Sequence, residues 1–292
     1  MFLRKYFRRS FPATLCAAFL VFTISTSSAA VHKISDRLYA YISDNDSSSN
    51  STFLVTSEGI LVVDTGLNEQ EGRKLLAEIR KISALPVRYI VNTHYHPDHR
   101  GGNAVVGLEA TIISTPFTAR RTPEGVAHAV DRVTFIDRIE LYLGAQKIEI
   151  YFPGPAHTLG DALVYFPQER AIATGDLFLN GSCPAMDEGD MENWVVALDA
   201  ALKLPLDAVV PGHFELASKE QLLRFRNYLA DLRDQVAAMF RAGMPLDQVQ
   251  KRLDMGNYKD FRQYPNYEAT FADNATAYYR QLEKRAKENK TH

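Results

Sequence analysis

The sequence predicts an α/β fold: an αββα sandwich of two mixed β-sheets flanked by helices, with a helical C-terminal extension. Three observations lead there. Short apolar runs of strand length recur up to about residue 215, with amphipathic helical stretches set among them. Beyond residue 218 the pattern turns helical and rich in aromatic residues. With 292 residues and 46% hydrophobic content, the chain can bury the core that such layers need, in one large domain rather than two.

The elements follow in order. Residues 31–42 alternate apolar and polar side chains and read as a strand, and the polar stretch 43–50 reads as a turn. Residues 52–57 and 60–63 are strand candidates around the Glu58–Gly59 turn. Leu75, Leu76, Ile79 and Ile82 fall at helical spacing and predict a helix over 68–82. An apolar run of strand length occupies 87–92, and similar runs recur at 110–114, 133–136, 147–152, 162–166, 171–174 and 208–210. Helices are expected at 192–202 and 219–241. The tail carries Tyr228, Phe240, Tyr258, Phe261, Tyr264, Tyr267, Phe271, Tyr278 and Tyr279, and is expected to pack on the domain rather than to bind a partner. The expected organisation is a signal peptide over 1–30, the main domain over 31–217 and the helical extension over 218–292.

The first nine residues carry Arg4, Lys5, Arg8 and Arg9 and no acid. An apolar run over about 11–24 and small residues over 25–30 follow. A basic start, a short apolar middle and an Ala-x-Ala-like end read as a cleavable signal. The apolar run is shorter than the roughly 20 residues a membrane span needs. Cleavage is expected near Ala29 or Ala30, which gives a periplasmic or secreted protein with no stable membrane anchor. Arg8-Arg9-Ser10-Phe11 leaves both the general secretory and the twin-arginine route open. Taking those four basic residues from the chain's 33 leaves 29 against 35 acidic residues, a formal charge of −6. Such a surface gives no reason to expect nucleic acid as a partner. Cys16 leaves with the signal, and Cys183 alone permits no internal disulfide.

The chemistry is concentrated in Asn92-Thr93-His94-Tyr95-His96-Pro97-Asp98-His99. Side chains alternate along a strand, so His94 and His96 at its end can point the same way and share one metal. The turn at Pro97 lets Asp98 and His99 reach a second position. Neutral imidazole and carboxylate suit zinc or iron better than calcium. Four ligand-type residues within six positions are not explained by ordinary core histidines.

This His-x-His-x-Asp-His run resembles the signature of the metallo-β-lactamase superfamily. Four further stretches match family motifs in family order: Asp64 in Ile60-Leu-Val-Val-Asp-Thr-Gly66, His157 in Pro153-Gly-Pro-Ala-His-Thr-Leu-Gly160, Asp176 after Thr174-Gly175, and His213 after Val210-Pro-Gly212. The resemblance spans about 31–215 and implies two metal sites. His94, His96 and His157 would hold one metal, Asp98, His99 and His213 the other, and Asp176 would bridge them. It implies two zinc ions per chain and a hydroxide between them that attacks the substrate, with Asp98 orienting it. Asp64 would steady a ligand histidine or the backbone beside it. His32, His128 and His292 match no motif and read as ordinary, and Cys183 reads as a plain loop thiol.

Two departures separate the chain from one major β-lactamase subclass. That subclass has a cysteine where Asp176 stands, and a lysine for the lactam carboxylate where Leu179 stands. A bridging aspartate is typical of the broader hydrolases, and the tail resembles exported bacterial members of the superfamily. The loop 179–194, with Asp187, Glu188, Asp190 and Glu192, is expected to line one side of the cleft. The leading expectation is therefore a dinuclear zinc hydrolase of a small-molecule ester, thioester, lactone or amide. A class B β-lactamase and a mononuclear iron sulfur dioxygenase are the alternatives.

Overall fold

The computed structural model describes residues 29–121, 133–186 and 188–289. Almost all of the expected signal peptide, together with His128, His292 and Asp187, lies outside them.

The first half builds one sheet and its helices: β1 (Ala30–Lys33), β2 (Leu38–Ile42), β3 (Ser51–Thr56), β4 (Gly59–Val63), α1 (Glu69–Ile82), β5 (Val87–Val91), α2 (Pro97–Arg100), α3 (Asn103–Val106), β6 (Thr111–Ser114), α4 (Pro116–Arg120) and β7 (Val133–Thr134). The second sheet holds β8 (Arg138–Leu143), β9 (Gln146–Tyr151), β10 (Leu163–Phe166), β11 (Ala171–Ala173) and β12 (Ala208–Val210), with α5 (Met191–Leu202) before its last strand. The chain then runs through α6 (Lys219–Arg241), α7 (Leu246–Arg252) and α8 (Phe271–Glu288).

The first sheet has the order β1-β2-β3-β4-β5-β6-β7, and the second β12-β11-β10-β9-β8. Both are mixed. Antiparallel pairing gives way to parallel pairing at β4–β5 in the first and at β11–β12 in the second. β4 is buried along its whole length because both of its faces are covered. Leu61 and Val63 face the second sheet, where they meet Ile148, Ile150, Val164 and Phe166. Ile60 and Val62 face outward onto Leu75 and Ile79 of α1. α1 begins where the Asn68 side chain accepts from the backbone of Gln70 and Glu71 at 2.9 and 3.1 Å, satisfying two amides that the helix leaves free.

The outer face of the second sheet carries α5, α6 and α8. One apolar cluster joins Ile172, Phe178 and Trp194 of the sandwich to Phe225, Tyr228 and Leu232 of α6 and Tyr278 of α8. The buried Tyr228 hydroxyl donates to Asn274 Oδ1 at 2.5 Å, and Asn274 Nδ2 donates to the Pro184 carbonyl at 2.7 Å. The extension thus shares the sandwich's core and grips the loop after β11.

Two local expectations are corrected. Residues 31–42 form a hairpin rather than one strand. Ser35 Oγ accepts from the backbone of Arg37 and Leu38 at 3.1 and 3.0 Å and turns the chain, so that Val31 pairs with Tyr41. β8 was not expected, although Arg138-Ile-Glu-Leu-Tyr-Leu143 alternates and pairs with β9 through the turn at Gly144, where φ is +59°.

Candidate metal centre

The parallel pairs decide where the chemistry sits. Val63 lies beside Val91, and Ala173 beside Val210, so β4 and β5 end together, as do β11 and β12. Asp64, the segment 92–99, Asp176 and His213 all follow these strand ends directly. His157 joins them from the loop between β9 and β10. All the expected site residues except Asp64 fall into two donor sets, His94, His96, His157 with Asp176, and Asp98, His99, His213 with Asp176. Within each set the donor atoms all lie within 4.8 Å of one another.

In the first set, His96 Nδ1 lies 2.9 Å from His94 Nε2 and 3.2 Å from His157 Nε2. Asp176 Oδ2 is 3.5 Å from His157 Nε2. In the second, Asp176 Oδ1 is 3.1 Å from His99 Nε2 and 3.5 Å from His213 Nε2. Asp98 Oδ2 lies 3.1 Å from His213 Nε2 and 3.4 Å from His99 Nε2. Tetrahedral zinc binding at about 2.0–2.1 Å sets neighbouring donors roughly 3.3 Å apart, so both sets have the right spread. A second observation tests the fit. His99 Nε2 and Asp176 Oδ1 are buried and close, yet neither has a hydrogen-bond partner among the described residues. Buried polar atoms left without hydrogen bonds are costly unless a cation receives them.

Electrostatics divides the sets. Burial, with repulsion from His99, holds His94 well below the usual histidine range. Burial also lowers His96, and it brings His157 down to about 4. These three therefore present the neutral imidazole that binds metal. Burial opposes charge in the second set too, but there it is outweighed. Asp176, Asp98 and Asp64 raise His99 well above its usual range, and His99 with His213 holds both Asp98 and Asp176 well below theirs. That end of the site is built for positive charge.

The surroundings fix the donors. Asp64 Oδ2 accepts from Thr93 Oγ1 at 2.7 Å and lies 2.8 Å from His99 Nδ1, while Oδ1 accepts from the Thr93 amide at 2.8 Å. One carboxylate therefore orients the candidate donor His99 and the backbone before His94, at a residue whose φ is +55°. Backbone outside the common regions persists where its surroundings over-determine it, as here. Gly212 must lack a side chain, because a Cβ there would sit 2.0 Å from Asp176 Oδ1.

Several positioning residues went unread in the sequence. Asn50 Nδ2 donates to the carbonyls of Pro211 and Phe214 at 3.1 and 2.7 Å, on either side of His213. Asn193 of α5 donates to those of Pro153 and Pro155 at 3.1 and 2.8 Å, holding the turn before His157. Trp194 packs its ring 5.5 Å from that of His157. Asp161 accepts from the Thr158 amide and hydroxyl, just after His157, while burial pushes it up to about 7. None of these bonds has a motif of its own, since each joins distant segments or serves a loop.

A cavity of about 410 Å³ opens beside both sets. Leu179, Ser182, Cys183 and Ala185 from the expected loop line it, with Leu67, Phe214, Tyr264 and Tyr267. The described acids of this loop turn elsewhere. Asp190 caps α5 and pairs with Arg285 at 3.0 Å, and Glu192 bonds to Tyr278, so both turn toward the C-terminal helices. Glu188 pairs with Arg121 at 2.8 Å. The Cys183 thiol is buried, pushed up to about 12 by that burial, and belongs to neither donor set.

Comparison with known proteins agrees with this geometry. The family model of the metallo-beta-lactamase superfamily matches residues 44–213. The alpha subunit of 2,4-dinitroanisole O-demethylase from Nocardioides sp. (strain JS1661) is 28% identical over 70% of this chain, and the match spans 62% of its own length, under two thirds. The type 2 metallo-beta-lactamase of Elizabethkingia meningoseptica is 26% identical over 64% of this chain and 80% of its own. Among solved structures, the metallo-beta-lactamase from Pontibacter korlensis is 27% identical, with a TM-score of 0.62 over 69% of this chain and 99% of its own.

Proposed function

The chain belongs to the metallo-beta-lactamase superfamily, and from that premise we propose that it is a dinuclear zinc hydrolase of a small-molecule ester, thioester, lactone or amide. The observation that carries this reading is the pair of four-donor sets sharing Asp176. Two zinc ions held there would supply water activation near neutral pH and polarise the substrate oxygen. The chain's own residues do the rest. Asp176 presents one oxygen to each set and so would hold both ions through one carboxylate. Asp98, at the cavity wall, is placed to orient the attacking water through its carboxylate. The complete second set favours this reading over a mononuclear iron oxygenase, which needs only one.

The lactamase relative motivates a second reading, β-lactam hydrolysis. Lactam antibiotics carry a carboxylate beside the scissile amide, and holding it requires a fixed cation. Among the described residues no lysine or arginine lines the cavity, and Leu179 occupies its wall. Arg120 and Arg121 are the sequence candidates for that cation. Neither lines the cavity, and Arg121 is neutralised by Glu188 and lies over the rings of Tyr95 and Phe117 at 4.6 and 4.4 Å. A missing charge-assisted pair costs about 1.5–3 kcal/mol, or roughly one to two decades in kcat/KM. The test is steady-state kinetics of zinc-loaded protein on a penicillin, a cephalosporin and a carbapenem beside thioester, lactone and aryl ester panels. The lactams are expected to trail the best ester-type substrate by that margin. A lactam turned over faster than every ester would promote the second reading.

A further inference from the structure

The cavity has a wall that the metal chemistry does not use. Phe214, next to His213, stacks on Tyr264 with ring centroids 6.0 Å apart and planes 3° apart. Leu67, Leu179 and Tyr267 extend the apolar lining, and Tyr267 is 65% exposed. Tyr264 and Tyr267 come from the C-terminal extension, not from the sandwich. The segment that carries them is fastened to the metal end. The Arg262 amide donates to the Gly181 carbonyl, and the Cys183 amide donates to the Arg262 carbonyl, both at 2.9 Å. The Tyr264 and Ala269 backbones then exchange hydrogen bonds of 3.0 and 3.2 Å, closing a turn that holds Tyr267.

Arg262, beside this wall, is engaged. Arg262 donates to both Glu215 carboxylate oxygens at 2.8 and 3.2 Å and to the Asn180 carbonyl at 3.1 Å, and its guanidinium lies 4.4 Å from the Phe214 ring centre. The carboxylates in the lining are Asp46 and the donors Asp98 and Asp176. Among the described residues, a substrate with a distal negative charge would meet acids and no lining cation here. An apolar group would cover aromatic surface that water now wets, which is favourable in proportion to the area covered.

Resting on the hydrolase reading for the reaction itself, we propose that Tyr264 and Tyr267, with Phe214, form a specificity wall that seats an uncharged apolar acyl group of the substrate. The C-terminal extension is then part of the substrate site.

The test uses zinc-loaded full-length mature protein, native and with Tyr264→Ala, Tyr264→Phe or Tyr267→Ala, on p-nitrophenyl acetate, butyrate and hexanoate. Zinc content and melting temperature are read for each variant. Native kcat/KM is expected to rise with chain length, by up to about fourfold for each methylene seated. Both alanine variants lose a factor that grows with chain length, mostly through KM, and Tyr264→Phe retains the native profile. The p-nitrophenyl monoester of glutaric acid should be a poorer substrate than the butyrate. Tyr267 is exposed enough that its replacement leaves the fold intact. Binding of 4-phenyl-1-butanol, followed by saturation-transfer NMR, gives a readout that needs no turnover. If no ester reacts but this alcohol binds native protein and fades in both alanine variants, the wall stands and the hydrolase reading falls. Chain-length profiles identical in native and alanine variants, preference for the charged glutarate ester, or binding indifferent to both tyrosines would overturn the proposal.

Discussion

Asp176→Ala should strip both metal positions at once and lower turnover of the best substrate by about three orders of magnitude or more. The reason is geometric. Asp176 Oδ1 lies with His99 and His213, and Oδ2 with His157, so one carboxylate belongs to both sets. Its loss leaves three donors on each side and removes the negative charge that would lie between the two proposed cations. Water activation is the step that suffers, because a bound metal brings the pKa of water from about 15.7 to about 7. The fold should survive. Asp176 sits at a turn beyond β11, and its neighbour Gly175, at φ +50°, carries the turn itself. Elemental analysis and circular dichroism of the variant, beside its kinetics, check this. A folded variant that retains two metals would show that the bridging role is wrong.

Trp194→Ala is the second large effect, and it acts through the core. The indole is fully buried between the sandwich and α6, 5.5 Å from the His157 ring and 6.4 Å from Phe225. Its Nε1 donates to the Leu177 carbonyl at 2.9 Å, and Leu177 follows Asp176. Truncating a buried tryptophan costs about 3–5 kcal/mol. In a domain of this size that lowers the melting temperature by about 10 °C. The lost packing also frees His157, so the variant should release metal more readily from the His94, His96 and His157 set. Calorimetry and metal competition against a chromogenic chelator measure the two effects. A melting temperature within about 2 °C of native would mean that the indole contributes less than about 1 kcal/mol and that this core joint is not continuous.

Much of this molecule was legible in the sequence, and the reason is local density. Three histidines and an aspartate within six residues leave few readings, and the apolar runs beside them place the cluster at a strand end. Strands with both faces buried, such as Ile60 to Val63, announce themselves as continuous apolar runs. The parts that stayed hidden depend on long-range contact. Ser35 turns the first strand into a hairpin through its own hydroxyl, against an unbroken alternation on either side. Asn50 and Asn193 hold metal-site loops through bonds that span well over thirty positions, and an asparagine in isolation signals only a turn. The direction in which Asp190 and Glu192 turn was hidden because Arg285 and Tyr278, which engage them, lie some ninety positions later. Tyr264 and Tyr267 read as part of a tail packed on the domain, since nothing near them in sequence points to the metal end.

Whether two metals share the Asp176 carboxylate, and whether turnover needs both, is decided by a zinc titration of metal-free, folded protein, with bound zinc by elemental analysis and ester turnover read on the same samples. Two zinc ions per chain are expected at saturation, with turnover reaching its plateau only as the second binds. Folded, active protein that holds a single iron and takes up no zinc would contradict this.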